Sequence, residues 1–452
     1  MNYNTFLTIF GFNPDNFKTT CSDPISGDDV IELYVEQRTD LKRICPFCNS
    51  NNIKIKDYDT ITVSLTTNPN EILKLYIKKV RFLCKDCKRS FTPTIENIDP
   101  YCTISNKVKL MIVQEFEFII SFSNIAERYN VSITTIFNIF DLYYPVVPRR
   151  TMPKILCIDE FHFSKEYDQN YCCALVDMSE KKLVDVIKNR KKEYLNEYFG
   201  NIPLWERENV RFFISDLYDE YKSARQKFFP NATHIADRFH IVLQLTRAIN
   251  KRRVKVMNKI KDSNKMLYNF MKKNWVLFER SRFSIPNKEY KNSKTRIIYS
   301  YDELFYDCLK LDNDLSIAYE ELQRIISKKH FTKPYDEVEF FVKISERLSK
   351  CDDIEFKKVA DTYIKWLEEI SNAYTDFSIN NHLSNSMAEN MNNHIKTIIK
   401  ISYGMNNFER LRKRAIIVAN NNKRKSNIDW FPSPLNFKAL FVFLFKNPAQ
   451  PR

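Results

Sequence analysis

From Ile53 and again from Ile72 the chain alternates apolar and polar residues at period two, through "IKIKDYDTITVSL" and "ILKLYIKKVRFL", as strands with one buried face do. The alternation predicts a small antiparallel sheet. From Ser105 the period becomes helical, through "SNKVKLMIVQEFEFIISFSNIAERYNVSITTIFNIFDLYYP". Within that stretch the spacing predicts a short helix over "NIAERY", a turn at "NVS", and a second helix opening on Ser132 as N-cap and running through Ile136 and Phe140. Such a pair is a helix-turn-helix, whose second helix can enter the major groove and would bring Thr134, Thr135 and Asn138 near DNA. A plain helical hairpin packing its own core has the same pattern. "PVVPRRTMP" then reads as a linker.

Beyond the linker the pattern is strand-rich. "ILCIDEFHF", "YCCALVDM" and "KLVDVIKN" are three short runs, followed by a helical "KKEYLNEYFG" and a fourth strand, "VRFFISDL", carrying Asp216. This is the order expected of the first half of a ribonuclease-H-like fold, and it would make Asp159 and Asp216 neighbours. A helix, a short strand at "THIA" and a long helix follow. From Val254 to Tyr374 the chain is mostly helical and charged, as an insertion would be. In "HLSNSMAENMNNHIKTIIKISYG", Asn385, Glu389, Asn392 and Lys396 fall at helical spacing i, i+4, i+7, i+11 and share one polar face.

The chain has 452 residues, 44% hydrophobic and 14% aromatic, enough for one large core or several smaller domains. Its longest apolar run, "ALFVFLF" from Ala439, is far below the ~18 to 20 residues that span a bilayer. The first residues lack a signal peptide's basic segment and cleavage site, so no membrane association is expected. Lys and Arg number 71 against 56 acids, a formal charge of +15. Such an excess favours polyanions, nucleic acid first, although a Lys- and Asn-rich composition alone raises the charge too.

Eleven cysteines is an odd count. Four of them form two Cys-x-x-Cys pairs, Cys45/Cys48 and Cys84/Cys87, which fit a closed structural zinc site in a reducing compartment, the cytoplasm by default. With the alternating strands between them they predict a zinc ribbon, and Arg81, Lys85, Lys88 and Arg89 beside the second pair are candidate phosphate contacts.

The acids carry the chemistry. A carboxylate in an apolar strand is costly to desolvate unless paired or bound to a metal. Asp159, Asp216 and Glu389, drawn from separate elements, can hold two Mg²⁺ or Mn²⁺ ions for phosphodiester chemistry. Glu160 should point to the opposite face from Asp159, and Asp177 closes its strand without an evident partner. The basic run "RAINKRRVKVMNKIK" could follow DNA, and Trp275 or Trp366 could stack on an unpaired base.

The strings "IDEFHFSK", "FPNATHIADRFHIV" and "SNSMAENMNNHIKTIIKISYGMNNFERLRKR", in this order behind a zinc ribbon and a helix-turn-helix, resemble the ISL-three family of insertion-sequence transposases. The resemblance implies a DDE transposase acting on terminal inverted repeats and target DNA, with Asp159, Asp216 and Glu389 as its acidic triad. Asp237 and His240 match the "DRFH" string as auxiliary groups, joined by Asn385 and Asn392 from the last helix. Ser386 and Asn390 depart from the small residues usual around the last acid. Bringing two ends together implies a homodimer on DNA.

The expectation is therefore a multidomain α+β chain: an N-terminal segment (1–40), zinc ribbon (41–98), helix-turn-helix (99–148), ribonuclease-H-like catalytic domain (153–253), helical insertion (254–380), second catalytic part (381–430) and tail (431–452). Two other readings share these features, a non-catalytic DNA-binding protein and a structure-specific nuclease.

Overall fold

The computed structural model describes residues 3–19, 25–26, 30–66, 72–100, 102–163, 171–291, 297–328, 336–375, 377, 386–401 and 407–421. It divides into two compact units, Met1–Pro148 with Thr397–Arg452, and Arg149–Lys396.

The first unit opens on α1 (Tyr3–Ile9) and a sheet of β1 (Phe17–Thr19), β2 (Ile25–Ser26), β3 (Val30–Gln37), β4 (Ile53–Ser64), β5 (Ile72–Cys84) and β6 (Ser90–Phe91). Its order is β1-β3-β5-β4, with β2 on β3 and β6 on β5. The period-two runs form the antiparallel hairpin that the sequence predicts, with Ile53 facing Cys84. β3 pairs in parallel with β5, so chain from before residue 40 and chain after it share one sheet. The reason is burial: Ile31, Leu33 and Val35 of β3 and Leu73, Leu75 and Ile77 of β5 line one core, which Phe6 and Leu7 of α1 also enter. Apart, either set would leave its apolar face in water.

Three helices follow: α2 (Asn106–Glu115), α3 (Phe122–Arg128) and α4 (Ile133–Tyr143), each N-capped by a serine, Ser105, Ser121 and Ser132. The turn between α3 and α4 passes through Asn130 at φ 49°, a left-handed conformation in which Asn is several-fold enriched.

The second unit is a sheet of β7 (Ile155–His162), β8 (Tyr171–Asp177), β9 (Lys182–Ile187), β10 (Phe212–Ser215) and β11 (Thr233–Ala236), ordered β11-β10-β7-β8-β9. β7, β10 and β11 are parallel, whereas β8 and β9 are antiparallel additions. Parallel neighbours need crossovers. Two helices, α5 (Lys192–Gly200) and α6 (Leu204–Asn209), lead into β10, and α7 (Asp219–Phe228) joins β10 to β11. Leu156, Ile158, Cys173, Leu175, Phe199, Phe213 and Phe228 fill the core between sheet and helices.

α8 (Arg238–Lys259) leaves β11 and runs past residue 253 into the helical region, so sheet and insertion share one continuous helix. The insertion contains α9 (Lys265–Lys273), a hairpin of β12 (Glu289–Lys291) and β13 (Ile298–Ser300), α10 (Tyr301–Lys310), α11 (Asn313–Ser327), α12 (Asp336–Ser349), α13 (Ile354–Lys365) and α14 (Leu367–Tyr374). It uses most of the basic run expected to follow DNA. Arg252 binds Asp312 at 2.7 Å and Asp353 at 3.1 Å, Lys255 binds Asp353 at 2.9 Å, and Lys251 binds Glu355 at 2.6 Å. Arg253 is buried and donates to the Met271 carbonyl at 2.7 Å. Lys251, Arg252 and Lys255 fasten α8 to the starts of α11 and α13, and Arg253 fastens it to α9. Trp366 is likewise no base-stacking residue: it is 2% exposed and packs edge-on against His234. Trp275 is 42% exposed.

α14 lies along β11, where Asn372 donates to the His234 carbonyl at 2.9 Å and Glu369 accepts from Lys222 at 2.9 Å. Burial alone would raise the Glu369 carboxyl, but His234 and Lys222 outweigh it and hold it at about 2. The His234 ring stands 3.7 Å away and burial lowers its own pKa, so Lys222 is the partner that persists at neutral pH. A depressed carboxylate contributes stability present above its unfolded pKa and lost as pH falls through the folded one. Stability should therefore decline from about pH 4.5 towards 2, by on the order of 1–2 kcal/mol after allowance for solvent screening. Denaturant titrations of wild type and Glu369→Gln across that range check this: the variant should show a flatter slope.

α15 (Ser386–Ile401) follows, and α16 (Phe408–Asn420) ends the described chain. α16, expected with the catalytic domain, packs instead on α2–α4 of the first unit. Arg414, 2% exposed, donates to the carbonyls of Phe116, Phe118 and Ile120, just past the end of α2, and Arg410 binds Asp141 at 2.7 Å. Carbonyls beyond a helix end lack intrahelical partners, and a buried guanidinium supplies them.

Candidate active site and metal centres

Three parallel strands each deliver an aspartate at the same level. Ile214 pairs beside Cys157, and Ser215 beside Ala236. Continued in that register, Asp216 falls beside Asp159, and Asp237 beside Asp216. The local sequences "ILCID", "FFISD" and "THIAD" repeat one device, a short apolar strand followed by a carboxylate. β7 continues past Asp159 to His162, because β8 pairs along it, Asp159 facing Ala174 and His162 facing Tyr171. Asp159 lies beyond the last β7–β10 pair, which is where the sheet opens.

Asp237 is the N-cap of α8 and accepts from the Phe239 amide at 3.2 Å. One turn along, the His240 Nδ1 lies 2.8 Å from both Asp237 Oδ2 and Asp216 Oδ1. A single N–H serves one acceptor well, and its direction favours Asp237. Asp216 Oδ1 is thereby left buried without a hydrogen-bond partner among the described residues. Ligand atoms of Asp216, Asp237 and His240 all lie within 4.8 Å of one another. Clustered hard oxygens with an unsatisfied acceptor suit a divalent cation.

Asp159 is 8% exposed. Its Oδ1 accepts from the Glu160 amide at 2.8 Å and its Oδ2 from Asn392 Nδ2 at 2.7 Å, while Asn392 also donates to the Glu160 carbonyl at 3.1 Å. Burial, then the charge of Asp216, push the Asp159 carboxyl up to about 7. At His240 burial pulls the other way, but the carboxylates of Asp216 and Asp237 beside the ring raise the imidazole to about 10. Its positive charge at neutral pH partly offsets the surrounding carboxylates.

Glu389 lies in α15 one turn before Asn392, but its side chain, like the whole of Asn385, falls outside the described residues. The polar face expected on this helix is divided. Asn392 is buried together with Met391 and Ile395, whereas Lys396 is exposed. Glu160 does point away from Asp159, to Arg190 at 2.6 Å and Tyr221 at 3.0 Å. Asp177 accepts from the amides of Ser179 and Glu180 and so closes a turn.

A second cluster lies in the first unit. Cys45 and Cys87 Sγ are 3.6 Å apart, as are Cys48 and Cys84 Sγ, and all four sulfurs lie within 4.8 Å of one another. A disulfide would need ~2.05 Å, whereas sulfurs about 2.3 Å from a tetrahedral centre stand roughly 3.8 Å apart. The two knuckles have the same backbone. Cys45 N–H donates to Ser50 O and Cys84 N–H to Arg89 O, both at 2.9 Å, and Asn49 and Lys88 take φ of 57° and 59°. Asp86 ties the loops together by accepting from Asn52 at 2.8 Å and from Ser50. The Cys87 amide, ahead of that of Asp86, lowers the Cys84 thiol, whereas Cys48 is raised, despite the Ser50 amide, by desolvation and the three other sulfurs.

Comparison with known families bears on the first of these clusters. A family model described as a transposase, DDE_Tnp_ISL3, matches residues 156–415, more than half of the chain. The chain belongs to the ISL3 transposase family. A search of curated proteins found no match. The transposase match opens inside β7 and closes inside α16, so it contains Asp159, Asp216, Asp237, His240 and Glu389.

The candidate DNA-contact residues of this transposase differ in availability. Thr134 and Asn138 are exposed on α4, whereas Thr135 is half-buried, 2.9 Å from Ser132 in the helix cap. Lys85, Lys88 and Arg89 are exposed on the second knuckle, Arg89 lying 5.2 Å over the Phe47 ring, and Arg81 pairs with Asp57 at 3.5 Å. Among the described residues no helix is long and apolar enough to cross a membrane. Nothing in the sequence sets Arg190 apart, because "KNRKK" reads as an ordinary solvated basic run, yet its guanidinium lies over the rings of Tyr171 and Tyr218.

If the aspartate cluster binds a divalent cation, Mg²⁺ or Mn²⁺ at about a hundred times its dissociation constant should stabilise the protein by about 2.7 kcal/mol. For a unit of this size that is a rise of roughly 5–10 °C in melting temperature. Differential scanning fluorimetry should show it for wild type and not for Asp216→Asn.

Proposed function

We propose that this chain is a DDE transposase that binds the inverted-repeat ends of its element and carries out divalent-metal-dependent hydrolysis and strand transfer of DNA. The carrying observation is the placement of Asp159 and Asp216 at adjacent parallel strands, with a buried Asp216 oxygen that has no hydrogen-bond partner among the described residues. The sheet order, three antiparallel strands extended by two parallel ones, supports a ribonuclease-H-like reading of the second unit. Asp159, Asp216 and Glu389 are the proposed acidic triad, and the position of Glu389 one turn from Asn392 favours it as the third member.

In this reading the chain's own groups act as follows. Asn392 holds one Asp159 oxygen and the Glu160 amide the other, which fixes the carboxylate plane. His240 keeps Asp237 oriented, and Asp237 in turn starts α8. Bound Mg²⁺ or Mn²⁺ would supply the positive charge that activates an attacking hydroxyl and stabilises the leaving oxygen. The four cysteines would hold a structural Zn²⁺ with no position open for chemistry. The zinc ribbon and α4 are the proposed DNA-reading modules, and two protomers would bring two ends together. Such a protein works where the chromosome is, in the cytoplasm.

The test is incubation with Mg²⁺ or Mn²⁺ and labelled duplexes carrying the repeats that flank the gene. Nicking at the element boundary by wild type is expected. Binding without nicking would leave a DNA-binding protein, and equal nicking of unrelated ends would leave a nuclease.

A further inference from the structure

Beside the aspartates, at the same end of the sheet, a guanidinium lies within 5 Å of two aromatic rings. Tyr171 opens β8 and faces His162 at the end of β7, Tyr218 lies two residues beyond Asp216, and Arg190 follows β9, which pairs with the start of β8. Arg190 Cζ is 4.8 Å from the Tyr171 ring centre and 4.9 Å from that of Tyr218. One of its nitrogens, Nη1, binds Glu160, which is adjacent to Asp159. Nε and Nη2 have no hydrogen-bond partner among the described residues, and the side chain keeps 37% of its surface exposed. Tyr171 is 44% exposed, with the His162 ring edge-on to it.

A purely structural ion pair would need neither feature. Glu160 is satisfied by Nη1 and by the Tyr221 hydroxyl, so it requires neither the second tyrosine nor the guanidinium nitrogens that have no partner among the described residues. They do match a nucleotide. Three carboxylates at one end of a sheet repel a phosphate backbone, and a cation that cannot swing away offsets this at a fixed point. A solvent-facing aromatic ring accepts an unpaired base of any identity.

We infer that Tyr171, Arg190 and Tyr218 form a subsite for one unpaired nucleotide of the DNA strand next to the bond being cut, its phosphate on Arg190 and its base on Tyr171. This rests on the DNA-transposase reading and adds the strand's path across the site. Tyr218 is a positioning residue whose ring packs on the guanidinium.

The test uses the full-length protein and two fluorescein-labelled duplexes of the same sequence, one blunt and one with a short thymidine 3′ overhang, titrated by anisotropy at fixed salt. Wild type is expected to prefer the overhang by about five- to tenfold. Tyr171→Phe should keep that preference and Tyr171→Ala lose it, with unchanged melting temperature because the ring is half exposed. Arg190→Lys, which retains the charge for Glu160, should weaken overhang binding more than blunt binding. A Tyr171→Ala protein that still prefers the overhang overturns the subsite. Nicking is measured in parallel: preference without nicking refutes the transposase chemistry and keeps the subsite, whereas nicking without preference does the reverse.

Discussion

Asp159→Asn is expected to lower metal-dependent DNA cleavage by at least about a thousandfold while leaving the protein folded. The substitution keeps the shape and the hydrogen-bonding length of the side chain but removes the charge. Transition-state stabilisation by a bound cation is worth several kcal/mol, and each 1.36 kcal/mol is a factor of ten in rate. Folding should survive because Asp159 is costly in the metal-free protein: it is buried, and Asp216 bears on it as a second negative charge. Neutralising it relieves that repulsion, which offsets the loss of one of the two accepted hydrogen bonds, so the variant should melt near the wild-type temperature without metal. Asp177→Asn is the matched control. It changes a strand-end carboxylate at the opposite end of β8, where the amides of Ser179 and Glu180 are its partners. Single-turnover nicking of labelled ends, with melting curves of each variant with and without Mn²⁺, separates the outcomes. Asp159→Asn retaining a tenth or more of wild-type cleavage would remove this residue from the metal site.

Removing one thiolate from the cysteine cluster is expected to have the second-largest effect. Cys84→Ser should abolish stoichiometric zinc binding and lower the melting transition of the first unit by on the order of 10 °C. The loss should be local at first. Ile31, Leu33, Leu73 and Leu75 form a core with α1 at the other end of the hairpin, which needs no metal. In β4, by contrast, the stretch from Lys54 to Thr60 is exposed on both faces, so the knuckle end has little apolar burial to hold it. Asn49 and Lys88, both in left-handed conformations, should be the first to relax, because the strain they carry has to be held by the surrounding structure. Binding of the duplex ends should weaken with the loss of order around Lys85, Lys88 and Arg89. The checks are zinc content by atomic absorption, amide exchange of the hairpin and duplex affinity. Full zinc occupancy in Cys84→Ser would show that the cluster does not bind metal through four sulfurs.

Much of this molecule could be read locally. The period-two runs set β4 and β5, the serines before helical periods set the starts of α2, α3 and α4, and two Cys-x-x-Cys spacings set a four-sulfur cluster. These features depend on a few neighbouring residues whose backbone preferences act alone. Features that depend on partners far along the chain were misread. The basic run of α8 gives no sign that Asp312, Asp353 and Glu355 neutralise it. Trp366 gives no sign that His234 is its neighbour. The amphipathic face of α16 fits the three-helix core as well as any other surface until Arg414 meets the Phe116, Phe118 and Ile120 carbonyls.

The sequence by itself determined the kinds of groups this transposase has: acids after apolar strands, paired thiols, a capped helix pair and an excess of cations. Tertiary structure alone decided which of them meet. Parallel pairing of β7, β10 and β11 converts three distant aspartates into one row, and the docking of α15 brings Asn392 to the first of them. The physical reason is that periodicity records which face of an element is buried. Register and packing partners are set by burial and hydrogen bonding between segments separated by tens to hundreds of residues, and no local pattern encodes them.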